Sequence, residues 1–431
     1  MPTAVSAPGK VLLAGGYLVL DRKYTGLVFG LSARIHVLVS ESNAGNLITV
    51  RSPQFVDAIW VYNYSLAEGR GVQISQVVDG VDRPASPNRF VETSLTYGLT
   101  YITALDYGST KIVPLEITIL ADTDYYSNTP EPSQIYPRFP FFNVPLTSAH
   151  KTGLGSSAAL VTALTTAILL HFIPTFDLCI PMNRTKIHNL AQIVHCAAQK
   201  KVGSGFDVAA AVYGACIYRR FSPSVLEGVS ESDSADFAAR LHSIVENPKS
   251  WDVEILRDDA ILPTGWALFM CDVDCGSSTI SMVKNVLKWR EDNSNIADLI
   301  WEELQQLQED LVAQLKVANP QGVKQSFEKI RHQIRQLSML SGVPIEPPEQ
   351  TALLDAINTN VEEVISGVVP GAGGYDAAVL LVRENKSVTV KLTKFLESWS
   401  VQKGGKFRLL GVRGESGGVR MEKYENYSKR V

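Results

Sequence analysis

The stretch KTGLGSSAA at residues 151–159 decides how the rest of the sequence is interpreted. It leads directly into the apolar segment 160–173, which is typical of a buried helix. Glycine lets a backbone approach a ligand closely, and the first N–H groups of a helix lack partners within the helix. Because these donors and the helix dipole attract anions, the stretch predicts a phosphate-binding loop. A serine cap on a buried helix is the alternative interpretation.

The composition is that of an ordinary globular protein. With 431 residues, of which 45% are hydrophobic and 19% charged, the chain is long enough for two domains. A net charge of −4 argues against a broad nucleic-acid-binding surface, because such surfaces are strongly basic. It is compatible with a small basic pocket for an anionic ligand.

Five cysteines, at positions 179, 196, 216, 271 and 275, are too few for a disulfide framework in a chain of this length. Cys271 and Cys275 have no matching second pair, so buried thiols are favoured over a zinc site. The N-terminus lacks the pattern of a signal peptide, and the segment 158–173 is shorter than the ~20 residues of a membrane span. We expect a cytoplasmic protein without a membrane span, with a monomer as the working assumption.

Hydrophobic periodicity predicts groups of strands that alternate with groups of helices. Strands are predicted at 26–40, 47–51, 58–64, 115–120, 266–271 and 377–382. Helices are predicted at 89–105, 183–201, 278–289, 296–317, 323–340 and 349–359. This order, with few βαβ units, predicts an α+β fold. We predict an N-terminal domain over 1–225, an exposed acidic insertion over 226–250 and a C-terminal domain over 251–431.

The segment 122–145 contains five prolines and little periodicity, and it leads into the glycine-rich loop. Loops of this length are often functional, so we expect it to form one wall of the site.

Three other stretches combine glycine with a charged or small residue. APGK at 7–10 is expected to break the first strand at Pro8 and Gly9, and a solvated surface charge is the alternative role for Lys10. The GSGFD turn at 203–207 presents Asp207 at the start of a helix, where an N-cap is the alternative. The third stretch is GAGG at 371–374, which lacks the last glycine of a dinucleotide-binding fingerprint.

The stretches APGK at 7–10, GLGSSA at 153–158 and GAGG at 371–374 resemble, in this order, the three motifs of the GHMP small-molecule kinases. The resemblance covers almost the whole chain. Within the family, the chain most resembles the eukaryotic, fungal-type members that act on 5-phosphomevalonate. This closer resemblance is carried by Lys151, by KKVGSGFD at 200–207 and by SGVPIEPPEQ at 341–350.

The resemblance implies transfer of the γ-phosphoryl group of ATP, with Mg²⁺, to 5-phosphomevalonate. The product would be 5-diphosphomevalonate, on the mevalonate route to isoprenoids and sterols. The implied fold has an N-terminal mixed α/β domain and a C-terminal ferredoxin-like domain, with the site between them.

The same resemblance implies a catalytic role for three residues. Lys10 would stabilise charge on the transferred group, and the Ser157 hydroxyl would contact Mg²⁺. Asp207 matches the catalytic aspartate of the family and is a further candidate Mg²⁺ ligand. The residues implied in binding the phosphates of ATP are Gly153, Leu154, Gly155, Ser156, Ser157, Ala158, Ala159, Gly371, Ala372, Gly373 and Gly374.

The implied acceptor carries a carboxylate and a phosphate, so its pocket requires positive charge. The candidate acceptor-binding residues are Lys151, for the phosphate of the acceptor, and His150, Lys201 and Ser341. Weaker candidates are Arg138, Arg331 and Arg335, for which a surface charge is the favoured alternative.

The sequence departs from the family at Cys196, roughly where several members have a glutamate that binds Mg²⁺. His195, Cys196 and Gln199 suit a hard cation poorly, so Asp207, water or the nucleotide itself would hold the metal. Because a phosphate acceptor is already mostly dianionic at neutral pH, we expect Asp207 to orient Lys10 or the metal more than to accept a proton.

Three alternatives to this function are a mevalonate kinase, a non-catalytic sensor of the same fold and a structural protein. The joint presence of Lys10, Ser157 and Asp207 argues against a sensor, and a structural protein leaves the glycine-rich stretches unexplained.

Overall fold

The computed structural model describes residues 2–43, 45–67, 69, 71–78, 85–105, 111–127, 138–258, 260, 262–273 and 279–427. Cys275, Ser278 and residues 128–137 of the predicted loop 122–145 lie outside the described residues, as does any zinc site at Cys275.

The N-terminal part is built around two long antiparallel strands. Its strands are β1 (Thr3–Ala14), β2 (Gly26–Glu41), β3 (Leu47–Arg51), β4 (Ile59–Leu66), β5 (Val72–Gln76), β6 (Leu115–Ala121), β7 (Cys216–Arg219) and β8 (Glu254–Leu256). The expected break at Pro8 and Gly9 is absent from β1, which instead continues through a shift in its register with β2. The bulge absorbs the missing proline N–H without ending the strand.

Some helices of this part pack on the sheet, and the others pack on those helices. They are α1 (Arg89–Leu105), α2 (Ser156–Phe172), α3 (Pro181–Gln199), α4 (Phe206–Tyr213) and α5 (Phe237–Glu246). Because α2 contacts β1 and β2 on one side and α1 and α3 on the other, it is buried around most of its circumference. This arrangement confirms the core helix predicted from its largely apolar sequence. None of the described helices is long and apolar enough to cross a lipid bilayer.

The C-terminal part has the ferredoxin-like arrangement that the resemblance implies. Its strands are β9 (Trp266–Val273), β10 (Val364–Val368), β11 (Ala377–Arg383) and β12 (Phe407–Glu415). They pair antiparallel in the order β10–β11–β9–β12, the order of a βαββαβ unit. The helices are α6 (Thr279–Asp292), α7 (Ser294–Lys316), α8 (Pro320–Ser341), α9 (Pro348–Asn360) and α10 (Val388–Lys403). The α+β class and the two-part architecture predicted from the sequence are confirmed.

The two parts share one sheet, because β12 pairs first with β9 and then, at Gly414 and Glu415, with β2. The short strand β13 (Arg420–Met421) returns to pair with β1, and β8 pairs with β7. Strands from beyond residue 250 therefore complete the N-terminal part. The chain does not divide as cleanly as the predicted ranges 1–225 and 251–431.

The predicted exposed acidic insertion at 226–250 is wrong in one respect. Within it, α5 buries Phe237, Leu241 and Val245 and packs against α1. The acidic residues around α5 obscure this apolar face in the composition, although its spacing of three to four residues is helical.

The connector between α8 and α9 is fixed by a buried ion pair. The Arg331 guanidinium donates to both carboxylate oxygens of Glu346, at 2.8 Å from Nη2 and 3.2 Å from Nε, and Arg335 adds a bond of 2.9 Å. Arg331 and Arg335 were candidates for acceptor binding, with surface charge as the alternative. Instead both pair with Glu346, and Arg331 is buried.

We expect Arg331→Met to lower the free energy of unfolding by about 3–5 kcal/mol, because Glu346 stays buried with fewer partners. The double variant R331M/E346M is expected to recover most of this loss, since Arg335 and Asp355, which also lose a partner, are partly exposed and no deeply buried charge is left unpaired. The measurement is urea unfolding at constant pH.

Arg51→Met is the matched control, because Arg51 forms a 3.5 Å pair with Glu116 in which both side chains are largely exposed. Equal shifts in the unfolding midpoint for R331M and R51M would contradict a special role of the buried pair.

Candidate functional site

The glycine-rich loop leads into the N-terminus of α2, where the helix is capped by a glycine. Gly153 and Gly155 adopt the left-handed conformation, with φ of +74° and +82°, and Gly155 is the N-cap. No side chain of the described residues caps this end of α2, so the alternative of a serine cap is wrong. The first N–H groups of α2 therefore remain available for an anion.

Lys10 lies against this loop on β1. Its backbone N–H donates to the Leu154 carbonyl at 2.9 Å, and its Nζ donates to the Gly153 carbonyl at 3.1 Å. A Cβ at Gly155 would lie 2.8 Å from Cγ of Lys10, so the glycine makes room for the lysine side chain. Burial lowers the pKa of Lys10, and the charge of Asp207 partly opposes this shift. Lys10 is therefore not the solvated surface charge considered as the alternative.

Ser157, His195 and Asp207 form a short polar chain beside Lys10. His195 Nε2 lies 3.1 Å from Ser157 Oγ and 3.8 Å from Asp207 Oδ2, and Gln199 contacts the same ring nitrogen at 2.8 Å. The N-cap of α4 is Gly205, so Asp207 is in the first helical turn and is not the cap. The histidine thus stands between the predicted serine and aspartate.

Two cavities meet the loop. The first, of about 610 Å³, includes the loop residues Lys151, Ser156 and Ser157. Much of its wall is apolar or aromatic, with Ile35, Val56, Trp60, Phe90, Ile119, Tyr126 and Leu160. This composition suits a flat, weakly polar ring system.

The second cavity, of about 710 Å³, has a different chemistry. It contains Lys10, His195 and Asp207 and extends to the C-terminal part. Its basic residues are Lys10, Lys201, Arg220 and Lys284, and its acidic residues are Asp207 and Asp376. The excess of cations suits an anionic ligand.

The stretch 371–374 lies across the second cavity from the loop and is held from both parts of the chain. Gly371 N–H donates to the Leu12 carbonyl at 3.3 Å, and Tyr17 donates its hydroxyl proton to the Ala372 carbonyl at 2.8 Å. A Cβ at Gly16 would overlap the Gly371 carbonyl. From the other side, the Ile345 carbonyl accepts from Gly374 N–H at 2.9 Å. The connector fixed by Glu346 therefore supports this third glycine-rich stretch.

The candidate acceptor residues do not all meet. Lys201 lines the second cavity, whereas Lys151 lines the first. His150 is exposed and is not among the described residues that line either cavity. The Ser341 hydroxyl donates to the Leu337 carbonyl at the end of its own helix and likewise lines neither of these two cavities among the described residues.

Arg138 also lies elsewhere, because it pairs with Asp122 at 2.7 Å. The sequence did not single out Arg220 and Lys284, which come from the end of β7 and from α6. Neither belongs to a recognisable motif, since Arg220 follows Arg219 at the end of a strand and Lys284 is one of two lysines on a helix, and only the fold brings them to the cavity.

The donors present fit a Mg²⁺ ion held mainly by phosphates and water. Ser157 and Asp207 offer oxygen atoms, which Mg²⁺ prefers. Burial raises the pKa of the Cys196 thiol to about 11, so it stays neutral and unsuited to a hard cation. In the described part of the chain, no cluster of three or more His, Cys, Asp or Glu side chains could hold a metal alone.

Comparison with known proteins agrees with this geometry. Residues 138–215, which include the loop, match the model of the GHMP kinases N terminal domain. The chain is 48% identical over 435 residues to a phosphomevalonate kinase of Gibberella zeae, covering 99% of this chain and 98% of that protein. It is 47% identical over 485 residues to that of Aspergillus fumigatus, with coverages of 99% and 98%.

A solved structure of Streptococcus pneumoniae phosphomevalonate kinase in complex with phosphomevalonate and AMPPNP has the same fold. Its TM-score is 0.61 at 17% identity, over 96% of this chain and 99% of that chain. The fold alone shows only the structural similarity, whereas the identity of 47–48% to the fungal proteins over almost the full length also shows the family. The chain belongs to the phosphomevalonate kinases of the GHMP kinase family.

Proposed function

We propose that the protein transfers the γ-phosphoryl group of ATP to 5-phosphomevalonate, with Mg²⁺, giving 5-diphosphomevalonate and ADP. The observation that carries this proposal is the position of Lys10, which lies between a bare helix N-terminus and a basic cavity. Phosphoryl transfer depends mainly on positioning and on neutralising charge, and both requirements are met there.

The adenosine of ATP would occupy the first, largely apolar cavity, with its phosphates at the N-terminus of α2. Lys151 lines this cavity with Ser156 and Ser157. We therefore assign Lys151 to the phosphates of the nucleotide and no longer to the acceptor. The acceptor, with its carboxylate and phosphate, would occupy the second cavity.

In the reaction, an oxygen of the acceptor phosphate forms a bond to the γ-phosphorus of ATP. The bond from that phosphorus to the bridging oxygen breaks, and ADP leaves. Lys10 stabilises the charge on the transferred group, and the N–H groups of α2 hold the donor phosphates. Ser157 and Asp207 would hold a Mg²⁺ ion, which would neutralise further phosphate charge.

Asp207 has a role that does not require it to accept a proton. The acceptor phosphate is already mostly dianionic at neutral pH. The charge of Asp207 instead opposes the effect of burial and favours the protonated form of Lys10. We propose that Asp207 keeps Lys10 charged, while His195, whose Nε2 lies 3.1 Å from Ser157 Oγ, orients the Ser157 hydroxyl.

The first test of the function measures ADP release with 5-phosphomevalonate, with mevalonate and without an acceptor. We expect turnover with 5-phosphomevalonate alone, because only that acceptor brings a phosphate nucleophile to Lys10. ADP released only with mevalonate would make the protein a mevalonate kinase, and no release with any acceptor would favour a sensor.

We expect Asp207→Asn to shift the alkaline limb of the kcat–pH profile to lower pH. Asp207 raises the pKa of Lys10, so its neutralisation lets Lys10 lose its proton at a lower pH. At neutral pH we expect a smaller loss of kcat than the same substitution causes in a family member with an alcohol acceptor.

The control is D207N combined with Lys10→Arg, whose guanidinium stays protonated across the profile. An unchanged alkaline limb in D207N, or a loss of kcat equal to that in an alcohol kinase, would refute this role.

We expect Gly155→Ala to reduce kcat by roughly 100-fold, because the new methyl group displaces the Lys10 side chain. Gly153→Ala is the matched control, since it has a similar positive φ but, its chain neighbours aside, none of the described residues within 4 Å of its Cβ. Both variants carry the same backbone strain, of about 1 kcal/mol. Equal kcat values for the two would show that displacement of Lys10 is unimportant.

We also propose that the enzyme acts in the cytoplasm as a monomer. Light scattering on the purified protein and microscopy of a fluorescent fusion would test the two parts of this proposal.

A further inference from the structure

Arg220 is one of three deeply buried arginines among the described residues. It follows β7 in the wall of the second cavity, and only 9% of its surface is exposed. Across the ranges of the chain that the structure describes, it forms no ion pair with an Asp or Glu. The other deeply buried arginines differ, because Arg34 pairs with Glu415 and Arg331 pairs with Glu346.

The guanidinium is held in place by backbone carbonyls. Nη1 donates to the Leu20 carbonyl at 2.6 Å and Nη2 donates to the Gly203 carbonyl at 3.0 Å, while Nε has no partner among the described atoms. Because an arginine has five N–H donors, three remain uncommitted. The side chain is therefore rigid, charged and incompletely bonded before any ligand binds.

Such an arrangement is costly unless a ligand completes it. Burial of a charge is unfavourable without an opposite charge or a full set of hydrogen bonds, and neutral carbonyls supply only part of this. An anionic group that enters the second cavity would supply the missing partner.

The two anchored cations of the cavity stand on different walls. Lys10 is bonded to Gly153 of the glycine-rich loop, whereas Arg220 is bonded to Gly203, in the turn before α4. Lys201 and Lys284 are exposed by comparison. A ligand with two separated anionic groups can therefore engage Lys10 with one group and Arg220 with the other.

We propose that Arg220 binds the carboxylate of the acceptor. This inference rests on the proposed function, in which the acceptor phosphate is the nucleophile and must lie at Lys10. The carboxylate is then the remaining anionic group, and the planar guanidinium suits its two oxygens. Arg220 is thus a specificity residue that fixes the end of the acceptor away from the reaction.

Arg220→Gln tests this assignment, with Arg219→Gln as the matched control. Arg219 also donates to backbone carbonyls, those of Arg22 and Lys23, but it pairs with Glu254 and is not among the described lining residues of the cavity. We expect R220Q to raise the KM for 5-phosphomevalonate and its Kd in calorimetry by on the order of 10- to 100-fold. The KM for ATP should change by less than about threefold in both variants.

A second comparison uses the acceptor in which the carboxylate is replaced by a carboxamide. Wild-type protein should bind this amide more weakly, and R220Q should bind it about as well as wild type does. Arg220→Lys, which keeps the charge, should recover part of the affinity for the natural acceptor. If R220Q unfolds, R220K compared with wild type on the acid and the amide still reports on the contact.

Three results would overturn the proposal. The first is an unchanged KM for 5-phosphomevalonate in R220Q, and the second is an equal rise in the KM values for ATP and 5-phosphomevalonate. The third is that R220Q loses as much affinity for the amide, relative to wild type, as it loses for the natural acceptor. The last result would assign Arg220 to the phosphate instead. Failure of the proposed function is distinguished by wild-type protein, which would then not turn over 5-phosphomevalonate at all.

Discussion

The contact between β1 and the loop that begins α2 is the constraint on which the site depends. The backbone of Lys10 is bonded to Leu154, and its side chain is bonded to Gly153 and fills the space that Gly155 leaves open. Two segments more than 140 residues apart thereby become one unit. The lysine is desolvated by this packing, and the carboxylate of Asp207 compensates for the loss of hydration.

Much of the architecture could be predicted from the sequence because its elements have strong periodicity. The predicted strands and helices agree with the described ones to within three residues at each end. The phosphate-binding loop could be predicted from its glycines, whereas Lys10, Ser157 and Asp207 were singled out by the resemblance to the GHMP kinases. The catalytic roles of these residues are tested by the variants of Asp207, Gly155 and Lys10 described above.

The failures of prediction share a physical cause, which is that a sequence does not show which charges will meet. Arg331 and Glu346 are 15 positions apart and pair only because the connector after α8 turns back. Arg220 follows an ordinary strand, and its guanidinium is held by the carbonyls of Leu20 and Gly203, which are distant from it in the sequence. Lys151 is the first residue of the glycine-rich loop and lines the first cavity, whereas Gly153, two residues later, lines the second.

The contacts of β1 and of the turn that follows it also limit where the sequence of this enzyme can gain or lose residues. Lys10 contacts the glycine-rich loop, Leu12 accepts from Gly371, and Tyr17 donates to Ala372. Side chains of a strand alternate between its faces, so a single inserted or deleted residue would turn every later contact to the wrong side. The spacing between Lys10 and Leu12 is therefore fixed by the pleat of β1, and the turn after Ala14 must then bring Tyr17 to Ala372. A change in the length of an exposed surface loop leaves these contacts in place, whereas an insertion or deletion within this interval would separate Lys10 from the glycine-rich loop or Leu12 from Gly371.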